Sequence, residues 1–287
     1  EWLGSHVYAA LGIPVHETVL EIRDGRIVCA CRDFTFPDSR LVNFHDLKNS
    51  LSDDEPGFTE DASTGSGVVL ADVRSAIHRI PVLRSIDGVS DRFWDMFVVD
   101  AFIRNIDRNN TNWGVLRNPR GEFSLAPVYG NGNSFNNKRT ESGIERRLAN
   151  PDLIRQDALD VRSCYVTDRG KPIAPLKYLA SGQDEECTKA LDRFMERYDP
   201  RSFHDLLDSI PSMSHGLTVV PDGFHEYHRR VCDYRYEHAF MEAWRELHPT
   251  VGFPSSPEAS VPEPLPDPDP SVLPSSSVPT CFDGPGM

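Results

Sequence analysis

Asp107 and Asn112 lie five residues apart in the segment IRNIDRNNTNWGVL, between an apolar run and a short β-rich run. A carboxylate and an amide with this spacing on one loop suit phosphoryl transfer, in which the Asp accepts the proton of the attacking hydroxyl and the Asn holds Mg²⁺ against the phosphates. Asp and Asn are also favoured in a turn that merely ends a helix. The pattern alone leaves both interpretations open, so the flanking sequence has to decide between them.

The stretch LAPVYGNGNSF (Leu125–Phe135) is an apolar run that enters a turn rich in Gly and Asn. Between this stretch and Asn112, the runs WGVLRN and EFSLAPVY predict two strands around a reversal at Asn118 to Gly121. A hairpin there brings the chain back towards Asn112. The sequence therefore predicts that the two loops lie side by side, where the second loop can supply another metal ligand.

Helices and strands that can position these loops are evident along the chain. The run DRFWDMFVVDAFIRNI has the periodicity of a helix that leads into Asp107, with Phe93, Met96, Phe97, Val98 and Phe102 facing inward. Near the start, EWLGSHVYAALGIP predicts a helix stopped by Gly12 and Pro14, and HETVLEIR and RIVCACRDF predict two strands joined by the turn Asp24-Gly25. ADVRSAIHRI and most of residues 150 to 247 predict further helices. This order indicates a small α/β part followed by a larger helical part.

The composition excludes some classes of function. The chain has 287 residues, and its formal net charge of -14 argues against a general binder of nucleic-acid backbones, which needs clustered Lys and Arg. No run of about 18 or more apolar residues predicts a membrane span, and the start lacks a signal-peptide pattern, so we expect a cytoplasmic protein. The six cysteines are scattered, which favours reduced thiols over a disulfide framework.

The two ends and one internal stretch differ from the rest of the chain. Residue 1 is Glu1, already inside the first predicted helix, so we expect the sequence to be a fragment of a longer product. Residues 253 to 287 hold ten of the 23 prolines and no Lys or Arg, and such a segment buries too little apolar surface to order itself. The acidic stretch DDEPGFTEDASTGSG, from Asp53 to Gly67, is expected to be a surface connection.

The two polar loops together resemble those of the HipA-like kinases, in particular the compact CtkA-like branch. The catalytic loop of that family is similar to Gly-Asn-x-Asp-Arg-His-x-x-Asn, and this chain has Arg-Asn-Ile-Asp-Arg-Asn-Asn-Thr-Asn from Arg104 to Asn112. The family's metal loop is similar to Leu-Ala-Pro-x-Tyr-Asp-x-Gly-x-Ser, and this chain has Leu-Ala-Pro-Val-Tyr-Gly-Asn-Gly-Asn-Ser from Leu125 to Ser134. The resemblance extends over roughly residues 1 to 245, and the two motifs are specific in combination.

The resemblance implies roles for four residues of the catalytic loop (Arg104–Asn112). Asp107 corresponds to the catalytic base, and Asn112 corresponds to a ligand of Mg²⁺. Arg108 would brace the loop, and Asn105 would help to fix its turn. These residues are the predicted catalytic and metal-binding side chains of the loop.

The resemblance also implies contacts with ATP. EWLGSHVYAALGIPVHET is similar to the family's helix after the nucleotide-binding lysine, and CRDF is similar to the hinge between its lobes. Glu1 would be the helix acid that pairs with that lysine. The backbone around Cys31, Asp33 and Phe34 would contact the adenine.

Three departures from the family pattern bear on activity. The Asp of the metal loop (Leu125–Ser134) is Gly130, which has no side chain to bind Mg²⁺; Asn131 or Asn133 could offer an amide oxygen, and we predict Asn131 as that ligand. A neutral amide does not neutralise the charge of the ion, so weak or absent catalysis is expected. Asn109 replaces the usual His, a change expected to affect loop packing. No glycine-rich phosphate loop or strand lysine precedes the first helix.

The resemblance implies an α+β, two-lobed, protein-kinase-like (HipA-like) fold. Residues 1–34 would form the remainder of a truncated small lobe, residues 35–250 a helix-rich catalytic lobe, and residues 251–287 a disordered tail. The implied function is transfer of the γ-phosphoryl group of ATP to Ser or Thr of a protein substrate with Mg²⁺, and a toxin-like role beside a small DNA-binding antitoxin is a further expectation. The alternatives are a pseudokinase that binds a nucleotide or protein partner, and a gene fragment without activity.

His225, His228 and Cys232 fall on one face of the helix predicted in FHEYHRRVCDYRYEHAFMEAW. Such side chains can bind zinc, but structural zinc sites usually draw their ligands from two separated pairs. A partly exposed helix face is therefore the favoured interpretation.

Overall fold

Helices outnumber strands in the computed structural model, which describes residues 1–52 and 67–249. The described helices are α1 (Trp2–Ala10), α2 (Phe44–Ser52), α3 (Leu70–Arg79), α4 (Pro81–Arg84), α5 (Val89–Ile103), α6 (Glu141–Leu148), α7 (Pro151–Leu159), α8 (Pro175–Ser181), α9 (Glu185–Arg197), α10 (Pro200–Asp208), α11 (Phe224–Arg235) and α12 (Met241–Leu247), with a π-helical turn at Tyr236–Phe240. The described strands are β1 (Thr18–Arg23), β2 (Arg26–Cys31), β3 (Arg40–Asn43), β4 (Val68–Val69), β5 (Gly114–Arg117), β6 (Phe123–Leu125), β7 (Tyr165–Val166), β8 (Met213–Ser214) and β9 (Leu217–Thr218). The predicted acidic connection, apart from Gly67, and the predicted tail lie outside the described residues.

The first part of the chain folds as the sequence predicts. Helix α1 ends at Ala10, and strands β1 and β2 form an antiparallel hairpin in which Thr18 pairs with Cys31. Asp24 and Gly25, at the turn of this hairpin, have φ of 51° and 70°. Two successive left-handed residues form the tight turn whose twist matches that of the flanking strands, which confirms the predicted Asp-Gly reversal.

The hairpin predicted after Asn112 belongs to a three-stranded sheet. Strand β5 pairs antiparallel with β6, as predicted, and with β3 on its other side. A Cβ atom on Gly114 would lie 2.2 Å from the carbonyl oxygen of Val42, so only glycine allows β3 to approach β5 this closely. Strand β6 ends at Leu125, earlier than the predicted run EFSLAPVY. Val128 does not pair with β5 and instead forms an isolated bridge with Val15.

Helix α5 is the most buried helix among the described residues and leads directly into the catalytic loop. Its predicted inward residues are confirmed as buried: Phe93, Met96, Phe97, Val98 and Phe102. It packs mainly against α9 and also against α1, α3 and α8. The helix ends at Arg104, whose left-handed backbone (φ 57°) turns the chain sharply into the loop.

The remaining helices confirm the prediction for residues 150 to 247. Helix α11 packs against α7, and α12 packs against α8 and α9. Helix α1 packs against α5 and α10, so the predicted small lobe shares contacts with the helical part, and the division at residue 34 stays a prediction. Within the described residues, no helix is both long and apolar enough to cross a membrane.

The face of α11 that carries His228 and Cys232 is buried, so the interpretation as a partly exposed face is wrong for these two residues. The ring of His228 makes edge contacts with Phe135, Phe224 and Tyr227. Burial, together with the nearby charges of Arg235 and Arg139, lowers the pKa of His228 to about 3. The folded protein therefore holds this imidazole neutral.

The folded-state pKa of His228 lies below its ordinary value of 6.5, so we expect the free energy of unfolding to fall as the pH drops from about 6.5 towards 3. In this pH window the imidazole of His228 becomes protonated in the unfolded chain but stays neutral in the folded chain. The loss from this residue is about 2 kcal/mol at pH 5. Urea denaturation of wild type and His228→Gln between pH 7.5 and 5 measures the free energy of unfolding, which should depend less steeply on pH in the variant. Equal slopes would contradict the prediction, and the exposed His78→Gln serves as control.

Candidate active site

Asn105 fixes the turn between helix α5 and the catalytic loop. Its side-chain Nδ2 donates to Oδ1 of Asp100 at 3.1 Å and to the carbonyl oxygen of Gly130 at 3.3 Å. Its Oδ1 accepts a hydrogen bond from the backbone N–H of Asp107 at 3.2 Å. One amide thus connects the end of the helix, the predicted base and the metal loop, which is the position expected for a residue that sets the turn.

The carboxylate of Asp107 is held between two neutral amides. Asn109 donates to its Oδ1 at 2.9 Å, and Asn133 donates to its Oδ2 at 2.8 Å. Asp107 is only partly buried, and no cation of the described residues pairs with it. Hydrogen bonds from neutral donors orient a carboxylate without removing its ability to accept a proton. The buried Asn109 also accepts from Thr111, in agreement with a packing role.

Asn112 lies against Gly130. Its Nδ2 donates to the carbonyl oxygen of Asp107 at 2.5 Å. A Cβ atom on Gly130 would lie 3.0 Å from Cγ and 3.1 Å from Oδ1 of Asn112. The hairpin therefore brings the two loops together as predicted, and a carboxylate at position 130 would project beside the amide of Asn112.

Arg108 is the charged centre that joins these loops. Its side chain is 1% exposed, and its Nε donates to Oδ2 of Asp100 at 2.8 Å. Its Nη1 donates to the carbonyl oxygens of Asn112 and Tyr129, and its Nη2 donates to Oδ1 of Asn131 at 2.5 Å. Burial by itself lowers the pKa of Arg108, but the charge of Asp100, its hydrogen bond and the neighbouring Tyr8 and Tyr165 together raise the pKa above its ordinary value. The guanidinium thus stays charged and braces both loops.

The predicted metal role of Asn131 does not fit its surroundings. The side chain is fully buried, at 0% exposure. Its Oδ1 accepts from Arg108, and its Nδ2 donates to Oγ of Ser5 at 3.0 Å. An oxygen already bound to a guanidinium inside the protein is not available to a metal ion in the cleft. Asn131 instead joins the metal loop to helix α1 and to the catalytic loop.

Glu1 lies against the metal loop from the side of helix α1. Its Oε1 is 2.7 Å from Nε2 of His16 and accepts the backbone N–H of Asn131 at 2.9 Å. Burial raises the pKa of Glu1, but the hydrogen bonds from His16 and Asn131 outweigh it, so the net shift is downward. Within the described residues the partner of Glu1 is thus a histidine, and its pairing with a lysine stays a prediction.

Of the three hinge residues, the structure brings only the side chain of Phe34 to the metal loop. Its ring lies 5.5 Å from that of Tyr129 and 6.4 Å from that of His16. Asp33 is exposed, and its Oδ1 accepts from the backbone and hydroxyl of Thr35. Cys31 is also exposed, at the end of β2. The adenine contact through the backbone of these residues stays a prediction.

The sequence interpretation missed Asp100, Tyr8 and His16. The Oδ1 of Asp100 accepts the hydroxyl of Tyr8 at 2.7 Å, so this carboxylate links α1 to the catalytic loop. A single acid in the apolar run FVVDAF of α5 was the available signal, because a charge in the buried part of a helix needs a partner. His16 carries no comparable sequence signal.

The oxygen atoms available at the site suit a magnesium ion that arrives with nucleotide phosphates. Asp107 offers a carboxylate, and Oδ1 of Asn112 receives no hydrogen bond from the described residues. The described part of the chain holds no cluster of three or more His, Cys, Asp or Glu side chains for a metal. Mg²⁺ is often bound through one or two carboxylates together with substrate phosphates, so the donor set fits that mode.

An apolar helix that runs into an Asp-x4-Asn loop, with a hairpin that returns a second loop beside it, is the arrangement of a protein-kinase-like active site. The chain is 32% identical over 216 residues to the serine/threonine-protein kinase CtkA of Helicobacter pylori (strain J99), a match that covers 75% of this chain and 64% of CtkA. The crystal structure of the H. pylori proinflammatory kinase CtkA matches with a TM-score of 0.77 and 28% identity, over 88% of this chain and 87% of that chain. These similarities confirm the predicted resemblance to the CtkA-like branch of the HipA-like serine/threonine kinases, and the chain has the predicted α+β kinase-like fold.

Two further comparisons complete this result. A HipA structure from Shewanella oneidensis MR-1, in a complex of HipA, HipB and operator DNA, matches with a TM-score of 0.44 and 12% identity, over 85% of this chain and 57% of that chain. No family model matches the chain. The chain spans 64% of the length of the curated relative CtkA.

Asp100→Asn should lower the free energy of unfolding by about 3 to 5 kcal/mol, because it leaves the buried guanidinium of Arg108 without its charged partner. Asp91→Asn is the matched control on the same helix: this acid is 66% exposed, pairs with Arg193, and should cost less than about 1 kcal/mol. Urea denaturation at neutral pH measures both. Equal losses for the two variants would show that the Arg108 pair does not stabilise the site.

Proposed function

We propose that the protein binds ATP with Mg²⁺ and transfers the γ-phosphoryl group to Ser or Thr of a protein substrate, at a low rate set by Gly130. The observation that carries this proposal is the convergence of Asp107, Asn112 and Gly130 at the meeting point of two loops. The similarity to CtkA, a serine/threonine-protein kinase, supports the substrate class. A toxin-like role, an antitoxin partner and a cytoplasmic location remain predictions from the sequence.

Each residue of the site has a distinct role in this proposal. Asp107 accepts the proton of the attacking hydroxyl, while Asn109 and Asn133 hold its carboxylate in place. Asn112 offers its Oδ1 to Mg²⁺, which when bound neutralises charge on the phosphates. Arg108 keeps both loops in register from inside the protein and makes no contact with the reacting groups.

The absence of a carboxylate at Gly130 favours a second candidate, a pseudokinase that binds a nucleotide or a protein partner without phosphoryl transfer. A preorganised charged or polar group at the reacting centre is worth a factor on the order of 10² or more in rate. Loss of the metal-loop acid could therefore leave binding in place while turnover falls below detection. The two candidates share one cleft and differ only in turnover.

Gly130→Asp should raise Mg²⁺-dependent ATP turnover by a factor on the order of 10², because it adds the missing carboxylate beside Asn112. The φ of Gly130 is +71°, a left-handed conformation that Asp tolerates better than most residues. Gly130→Ala is the matched control, since it adds the same Cβ crowding and backbone strain without a carboxylate. Transfer of radiolabelled phosphate from ATP to a generic protein substrate measures the rate.

Asp107→Asn in the Gly130→Asp background should abolish the gained turnover, since the proton acceptor is removed. If Gly130→Asp is no faster than Gly130→Ala, phosphoryl transfer is the wrong assignment. Nucleotide binding that persists in that case, measured by calorimetry, would support the pseudokinase.

A further inference from the structure

Asn133 is the one partly exposed side chain between Gly130 and Ser134. Gly130 and Gly132 have no side chain, and both polar atoms of Asn131 are used inside the protein. The hydroxyl of Ser134 is buried and donates to the carbonyl oxygen of Asn131 at 2.7 Å. Asn133 is partly exposed, and nothing among the described residues donates to its Oδ1.

The amide of Asn133 lies beside Asp107, the proposed base, which is also bonded to Asn112, the metal-ligand candidate of the catalytic loop. Its Nδ2 is 2.8 Å from Oδ2 of Asp107, and Nδ2 of Asn112 is 2.5 Å from the backbone oxygen of the same residue. Each amide uses its nitrogen towards Asp107 and keeps its oxygen free. Two neutral oxygens, one from each loop, thus belong to amides that are both bonded to Asp107, and hard divalent cations prefer oxygen ligands of this kind.

We propose that Asn133, rather than Asn131, supplies the metal-loop oxygen for the Mg²⁺ that accompanies the nucleotide, in place of the carboxylate absent at Gly130. This inference rests on the proposed function, because it assigns a ligand within the same cleft. An amide oxygen supplies coordination but no charge, so the site holds the ion less tightly than a pair of carboxylates would. The contribution of Asn133 should therefore depend on whether position 130 carries an acid.

A double-mutant cycle in the binding of ADP tests the proposal. Calorimetry with Mg²⁺ and with EDTA gives the metal-dependent part of the ADP affinity for wild type, Asn133→Ala, Gly130→Asp and the double variant. Asn133→Ala should weaken the metal-dependent affinity about tenfold in the wild-type background. In the Gly130→Asp background the same change should have an effect of less than about threefold, because the new carboxylate takes over the metal.

Asn133→Asp is a second variant that does not depend on a loss of binding. A carboxylate at this position should raise the ADP affinity in Mg²⁺ but not in EDTA, since it adds charge at the proposed ligand. Gln183→Ala is the control: this exposed amide lies between helices α8 and α9, outside both loops, and should leave the metal dependence unchanged.

Four results would overturn the inference. Asn133→Ala could weaken ADP binding equally in Mg²⁺ and in EDTA, which would reduce Asn133 to its hydrogen bond with Asp107. Asn133→Ala could also weaken metal-dependent ADP binding by the same factor whether position 130 is Gly or Asp. Metal-dependent binding that is lost in Asn112→Ala but kept in Asn133→Ala would reject the inference and leave the proposed function standing. An absence of metal-dependent ADP binding in every variant would reject both.

Discussion

The ion pair between Arg108 and Asp100 is the interaction on which the site depends. Both residues are buried, and a buried charge is tolerated only when it is paired and its remaining hydrogen-bonding groups are satisfied. Arg108 meets this condition by donating to backbone oxygens of both loops and to Asn131. Asp100 meets it by accepting from Tyr8 and Asn105 as well. Because helix α1, helix α5 and both loops all supply groups that satisfy this buried ion pair, the pair holds them in place relative to one another.

With this arrangement, the metal loop keeps its position whether or not a metal is bound. Arg108 holds the loop through Asn131, and Glu1 holds it through the N–H of the same residue, so no metal ligand is needed to keep its shape. Gly130 has a left-handed backbone, a conformation that Gly adopts freely and that Asn and Asp adopt more readily than other residues. An Asp at this position would add charge and crowd Asn112, while the contacts of Arg108 and Glu1 with Asn131 would still hold the loop. The fold is compatible with either a kinase or a binding module for that reason.

Local signals explain which parts of the structure could be predicted from the sequence. The hairpin around Asn118 to Gly121, the apolar periodicity of α5 and the spacing of Asp107 and Asn112 all lie within short windows. The roles of the metal-loop amides depend on distant partners: Asn131 is bound by Arg108, 23 residues away, and by Ser5, 126 residues away. Side-chain direction there is decided by tertiary contacts, so the sequence could not tell a structural amide from an exposed one. Strand β3 was missed because a four-residue run has too little pattern.

The charges around the cleft indicate which step limits the chemistry. The catalytic loop holds two guanidinium groups: Arg108 turns its donors inward to Asp100, Asn131 and backbone oxygens, and Arg104 donates to the backbone oxygen of Asp160. Asp107 and Glu1 add negative charge beside the place where phosphates would lie. Under the proposed function, a metal ion would therefore have to balance most of the phosphate charge within this part of the chain. A well-oriented base cannot act on a phosphoryl group that is not held, so under that proposal the oxygen ligands of the metal would limit the rate more than the base would.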